Sequence, residues 1–324
     1  MRTSSINRLG RFTNIGVLVV MLLAIVAFAR VAQRDPSAPP PTEGFLVVAS
    51  LRSDQLTFHD FSRDIAASLA LPAAPHEFAV YRGRLYATLP RANLLAEIDR
   101  RAPGILRLQP IAGEPHGLAA DPSGVLYVAL GGANALVALD ATTLVEIDRW
   151  PTGETPHIVA LADGVPHVAV ARANRLEAIR PTGTATLPLD RLPEALAAVP
   201  GLVVAASHLD GTLHLARPIT LEPIATIPVG GGPVRILPLD DRTVAVALQE
   251  AAAVAIVDLE RRQVLRRVPV PARPDGLCQS PNGTYLAVVS NAEDVVTILE
   301  IASWRVAARL PVAHGPGACL WLSD

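Results

Sequence analysis

Lysine is missing from this chain: all 28 of its basic residues are arginine. That excludes a Schiff-base amine and a phosphate-loop lysine. Cysteine is scarce. Cys278 and Cys319 are the two present, and with no C-x-x-C or C-x-x-C-H there is neither a c-type haem attachment nor a zinc ribbon. Aromatic residues make up 4% of the chain, and the formal net charge is −2. Without a stacking platform or a basic surplus, nucleic acid is not an expected partner. No G-x-S-x-G elbow supports a serine nucleophile.

What is plentiful is apolar residue and proline. Half of the 324 residues are hydrophobic, 18% are charged and 29 are proline. Such a chain can bury a sizeable core, but its prolines and runs such as "AVAVAL" argue against helices.

The first apolar run has another purpose. Arg2, Arg8 and Arg11 precede "IGVLVVMLLAIVAFA" at 15–29. A basic flank before an apolar run predicts an export signal, with the N-terminus held in the cytoplasm. Ala27-Phe28-Ala29 fits a cleavage site, whereas counting from Phe12 gives about eighteen residues, enough for an uncleaved transmembrane helix. Arg30 and Arg34 behind the run tilt the expectation towards the anchor. Residues 1–33 are thus expected to be a signal anchor or signal peptide, and 34–43 a proline-rich linker. Residues 44–324 are then expected on the periplasmic, extracytoplasmic side, anchored in the inner membrane, or secreted if the segment is cleaved.

The remainder repeats. Equivalent points fall at Gly44, Leu85, Leu126, His167, Val203, Val244 and Tyr285, a period of about 41 residues with one unit about five shorter. Each unit reads as short apolar strands ("LYVAL", "YLAVV") separated by polar turns ("GGAN", "DPSG", "SPNG"). Four short strands per period predict propeller blades, seven of them, in an all-β fold. The first unit opens on its second strand, "FLVVAS", and the last ends with a spare one, "GACLWLSD". The C-terminal strand is therefore expected to complete the first blade, hiding the edges an open array would expose.

The stretch "LYVALGGANALVALDATTLVEIDRWPTGETPHIVAL" resembles the YVTN-type β-propeller repeat of the cytochrome d1/amine dehydrogenase heavy chain-like class. The resemblance covers 44–324 and departs at "RLEAIRPTG", where the acid after the strand is missing. It implies a seven-bladed propeller, often extracytoplasmic, and no single activity, because the fold hosts many.

A Pro-x pair precedes the innermost strand of each unit. Read in order, the x positions are His76, His116, His157, Glu194, Val234, Asp275 and Gly317, with His314 in the last loop. They are expected to ring one mouth of the channel. Three imidazoles on consecutive blades can hold one transition-metal ion with a position left open, Glu194 or Glu114 serving as general base. The competing reading is that Pro-His-Gly is a turn tripeptide. Candidate ligand-binding residues are accordingly His76, Glu114, His116, His157, Glu194, Asp275 and His314; candidate metal ligands are His76, His116 and His157. Rim residues such as Asn93, Asn134 and Asn174 suit turn geometry. His59, His167 and His214 fall within strands, and Asp99, Asp140 and Asp258 are expected to cap turns. Cys278 lies four residues after its proline and Cys319 three, so alternation puts them on opposite sides of their strands, and free buried thiols are expected.

Two functions follow from this reading. One is a binding or scaffold module for a protein partner or small-molecule ligand in the cell envelope. The other is a metal-dependent oxidoreductase or lyase working at the channel mouth.

Overall fold

A computed structural model describes residues 38–324. The expected signal anchor at 1–33 and the linker up to residue 37 lie outside the described residues. Among those described, no helix is long and apolar enough to cross a membrane, and the one helical element is a 3-10 turn, Pro90–Ala92.

Strands account for the rest, in seven sheets of four antiparallel strands, each sheet one blade. Blades two to seven run consecutively from the inner to the outer strand. Blade one takes its inner strand, Pro316–Leu322, from the end of the ring. That strand pairs with Phe45–Ser50 in the register Phe45↔Leu322, Leu46↔Trp321, Val48↔Cys319, as the two incomplete terminal units predict.

The strand sequences follow from their place in this stack. A middle strand is covered on both faces by neighbouring blades, so it is apolar throughout rather than alternating. Thr243–Leu248 is such a strand, with Val244, Ala245, Val246, Ala247 and Leu248 all at 0% exposure. An outer strand such as Glu146–Pro151 is mostly exposed. The core is a set of inter-blade clusters, for example Leu213 and Leu215 of blade five packed with Val244 and Val246 of blade six. At the centre the inner strands come very close. A Cβ on Gly276 would lie 2.1 Å from the Gly317 carbonyl oxygen, so only glycine fits there. The turn acids behave as expected: Asp140 Oδ1 accepts the N–H groups of Thr142 and Thr143 at 2.9 and 2.7 Å.

The cysteines do not. Cys278 and Cys319 form a disulfide, with Cα atoms 5.8 Å apart, which corrects the expectation of free thiols. The parity is as read: Cys278 pairs with Ala287, and Cys319 with Val48. But blades seven and one meet through opposite faces of their sheets. Opposite parity is what brings both sulfurs into the one cluster between those blades, beside Ala287, Val48 and Trp321.

Candidate metal centre

The channel mouth is built by one device used repeatedly. In blades three to seven and in the closing strand, the inner strand begins at a proline: Pro115, Pro156, Pro193, Pro233, Pro274 and Pro316. The residue before each has positive φ, from 55° at Glu114 and Arg273 to 66° at Gly315. In several blades an Asn or Asp of the preceding blade holds this turn. Asn93 Oδ1 accepts the Glu114 N–H at 2.8 Å, Asn134 Oδ1 that of Thr155 at 3.0 Å, and Asn174 Oδ1 that of Leu192 at 2.9 Å. Just after the proline the pairing slips, between Pro156 and Ile158, Pro193 and Ala195, and Pro274 and Gly276. Such a bulge leaves its extra residue outside the ladder and re-aims the side chain. Here that residue is His157, Glu194 or Asp275, all three of which line the channel cavity.

Two side chains placed in this way, His116 and His157, meet His76, which stands just ahead of the inner strand Phe78–Tyr81. One ring nitrogen each of His76, His116 and His157 lies within 4.8 Å of the other two. Ring centroids are 4.6 Å apart for His76–His116, 5.3 Å for His76–His157 and 5.5 Å for His116–His157. Zn–N bonds of about 2.0–2.1 Å allow at most ~4.2 Å between two ligand nitrogens, close to the span of this cluster.

Thr88 ties the first two histidines together. Its hydroxyl donates to the His116 carbonyl at 2.7 Å and accepts the Glu77 N–H at 3.1 Å, and its carbonyl accepts the His76 N–H at 2.9 Å. His157 Nδ1 lies 3.4 Å from the Glu194 carbonyl, the partner that fixes a ligating imidazole. Nδ1 of His76 and of His116 is buried without a hydrogen-bond partner.

Burial lowers all three imidazole pKa values. His76 falls well below the usual 6.5, helped by repulsion from its two neighbours, His157 falls to about 4, and His116 falls less because Glu114 opposes the shift. All three are therefore neutral at pH 7, the form that binds a metal.

Opposite the imidazoles stands a second group. Arg235 Nη1 of blade six reaches Glu77 Oε2 of blade two at 2.6 Å, bridging the channel. Asp275 and Glu194 have their carboxyl pKa values raised by burial, against the pull of Arg235 on the first and His208 on the second. A cavity of about 260 Å³ is lined by His76, His157, Glu194, Arg235, Gln249 and Asp275. A more apolar groove of about 340 Å³, lined by Leu51, Ala74, Pro90, Arg91 and Glu114, reaches His76 and His116 from the other side.

Of the residues expected at the site, then, His76, His116 and His157 come together, and Glu194 and Asp275 share their cavity. Glu114 stands in the outer groove beside His116. His314 is exposed and bonds Asp294 at 3.0 Å, apart from the cluster. His167 is a satisfied strand residue, its nitrogens against the carbonyls of Val165 and Pro218. Glu77, Thr88, Arg235 and Gln249 were not foreseen. Glu77 and Arg235 share one signal, since each stands two residues after its proline and so forms a second ring below the first.

The described residues thus define a seven-bladed β-propeller with a tri-histidine cluster at one mouth of its channel. No family model matches the chain, and no curated protein does. Solved structures do. A functionally unknown protein from Desulfotomaculum acetoxidans DSM 771 superposes with a TM-score of 0.72 at 12% identity, covering 87% of this chain and 99% of that one. Kuenenia stuttgartiensis hydrazine synthase gives 0.66 at 16% identity, over 75% and 88% of the two chains. Dihydro-heme d1 dehydrogenase NirN gives 0.65 at 16% identity, over 86% and 66%. At these identities the likeness establishes the fold.

Proposed function

We propose that this propeller is a metal-binding module of the cell envelope. In this reading a divalent transition-metal ion is held by His76, His116 and His157, with its open position facing the channel. The observation that carries it is the convergence of three neutral imidazoles, two with an orphaned buried Nδ1. An all-imidazole donor set suits zinc, copper, nickel or iron. The basic, apolar leader and the Cys278–Cys319 disulfide support a place outside the cytoplasm, where disulfides persist.

A metal-dependent lyase or oxidoreductase is the second reading. It is favoured by Asp275 and Glu194, whose carboxyls are pushed up by burial towards the range of a general base.

The test is metal uptake by chelator-stripped, untagged protein, followed by calorimetry with Zn²⁺. One equivalent is expected to bind. His116→Ala weakens binding by about a hundredfold, and His314→Ala leaves it unchanged. A wild-type protein that takes up no metal, or a His116→Ala variant that binds as well as wild type, removes the reading.

A further inference from the structure

An ion held by the three imidazoles would face the channel cavity that His76 and His157 line. The Glu77–Arg235 bridge crosses the channel, and both residues are recessed in it. The remaining volume, about 260 Å³, equals that of roughly nine water molecules. A space of that size takes a compact molecule.

The two sides of this space differ in chemistry. One offers donors. Arg235 Nε is buried without a partner even though Nη1 is taken by Glu77. Gln249 has its Oε1 occupied by Arg273 at 3.0 Å, which leaves its amide N–H groups to offer. The other side offers the carboxyls of Glu194 and Asp275. Charge narrows the choice further. Glu77 offsets Arg235, and the two remaining carboxylates, when ionised, match a divalent ion, so the loaded site is close to neutral and does not demand a strongly charged guest. A guest that satisfies both sides carries an oxygen acceptor for the ion and Arg235, and next to it a donor for a carboxyl.

We propose, resting on the metal-binding reading above, that this cavity binds a small carboxylate bearing a hydroxyl or amino group on the adjacent carbon. The carboxylate bridges the metal's open position and Arg235. The neighbouring hydroxyl or amine donates to Asp275 or Glu194. Buried polar groups of this kind reject a molecule that leaves them unpaired, so the site discriminates against a plain carboxylate and against a plain alcohol.

The experiment uses the full chain loaded with Co²⁺, whose visible spectrum reports its coordination. Glycolate is titrated in, with acetate and ethylene glycol as controls, and followed by absorbance and calorimetry. Glycolate is expected to shift the cobalt bands and to bind at least about tenfold more tightly than either control. Arg235→Met is expected to weaken glycolate by about tenfold or more while one equivalent of Co²⁺ still binds. Because that substitution strands Glu77, the double variant Glu77→Gln/Arg235→Met is measured beside it and is expected to lose glycolate in the same way. Failure to bind Co²⁺ overturns the metal-binding reading and this proposal together. Co²⁺ uptake with no glycolate response up to roughly 10 mM overturns this proposal alone. So does equal binding of acetate, or undiminished glycolate binding by the double variant.

Discussion

Blades two to four and blades five to seven deliver opposite chemistry to the channel, although the bulge that places His116 and His157 is the one that places Glu194 and Asp275. The first arc supplies His76, His116 and His157, held in the neutral form by burial. The second supplies Glu194, Arg235 and Asp275. The bulge, the proline and the Asn clamp recur on both sides, at Asn134 for His157 and at Asn174 for Glu194. The repeat therefore specifies where a side chain arrives and not what it does. Divergence at one or two positions per blade is enough to make a site from a scaffold.

The largest effect that tests this contrast concerns the charge on the acidic arc. Arg235→Met leaves Glu77, 9% exposed, as a buried charge without its partner, and is expected to cost about 3–5 kcal/mol in urea unfolding. Arg191→Met breaks an ion pair of similar length with Asp210, 2.7 Å, but on the open rim, and is expected to cost at most about 1 kcal/mol. Equal losses would erase the distinction between channel and rim.

Next comes acid on the histidine arc. The unfolded imidazole titrates near 6.5, and folded His157 at about 4. Between those values the unfolded chain binds more protons, so stability is full above about 6.5 and drains away as pH falls towards 4. For His157 alone the loss is of the order of 2–3 kcal/mol. Urea midpoints of metal-stripped protein, compared with His157→Gln across this window, isolate it; identical pH profiles would show that the imidazole is not desolvated.

The smallest effect separates clamp from ligand. Asn134→Gly and Asn174→Gly each keep the left-handed turn and lose one hydrogen bond, and each is expected to cost about 1 kcal/mol. Asn134→Gly is also expected to weaken metal binding severalfold by loosening the His157 turn, while Asn174→Gly leaves it alone. Matching metal affinities would mean that the clamp does not position the imidazole.

The sequence carried the ring in plain view, because a blade cannot bury its faces alone and so must repeat. The period, the turn Asn and Asp residues, and the two incomplete terminal units all follow from that need. The spacing of Pro75-His76, Pro115-His116 and Pro156-His157 placed three imidazoles on one ring for the same reason. What stayed hidden arises between blades. Glu77 and Arg235 are far apart in sequence, and although both stand two residues after a proline, their counterparts Gly117, Ile158, Ala195, Gly276 and Ala318 are small or apolar, so the repeat gives that position no polar pattern. The disulfide was misjudged because alternation describes one sheet, whereas Cys278 and Cys319 sit on two sheets that meet through opposite faces.

The closing strand has a consequence for how the molecule is made. Pro316–Leu322 is the last strand of the ring to leave the ribosome, and it is the partner of Phe45–Ser50, the first. Until that strand has been made, the inner edge of "FLVVAS", whose other edge pairs with Gln55–Asp60, has no partner, and such an exposed edge invites wrong pairing. Once the strand docks, Cys319 reaches Cys278, and oxidation fastens the circle like a clasp that can shut only on a finished ring.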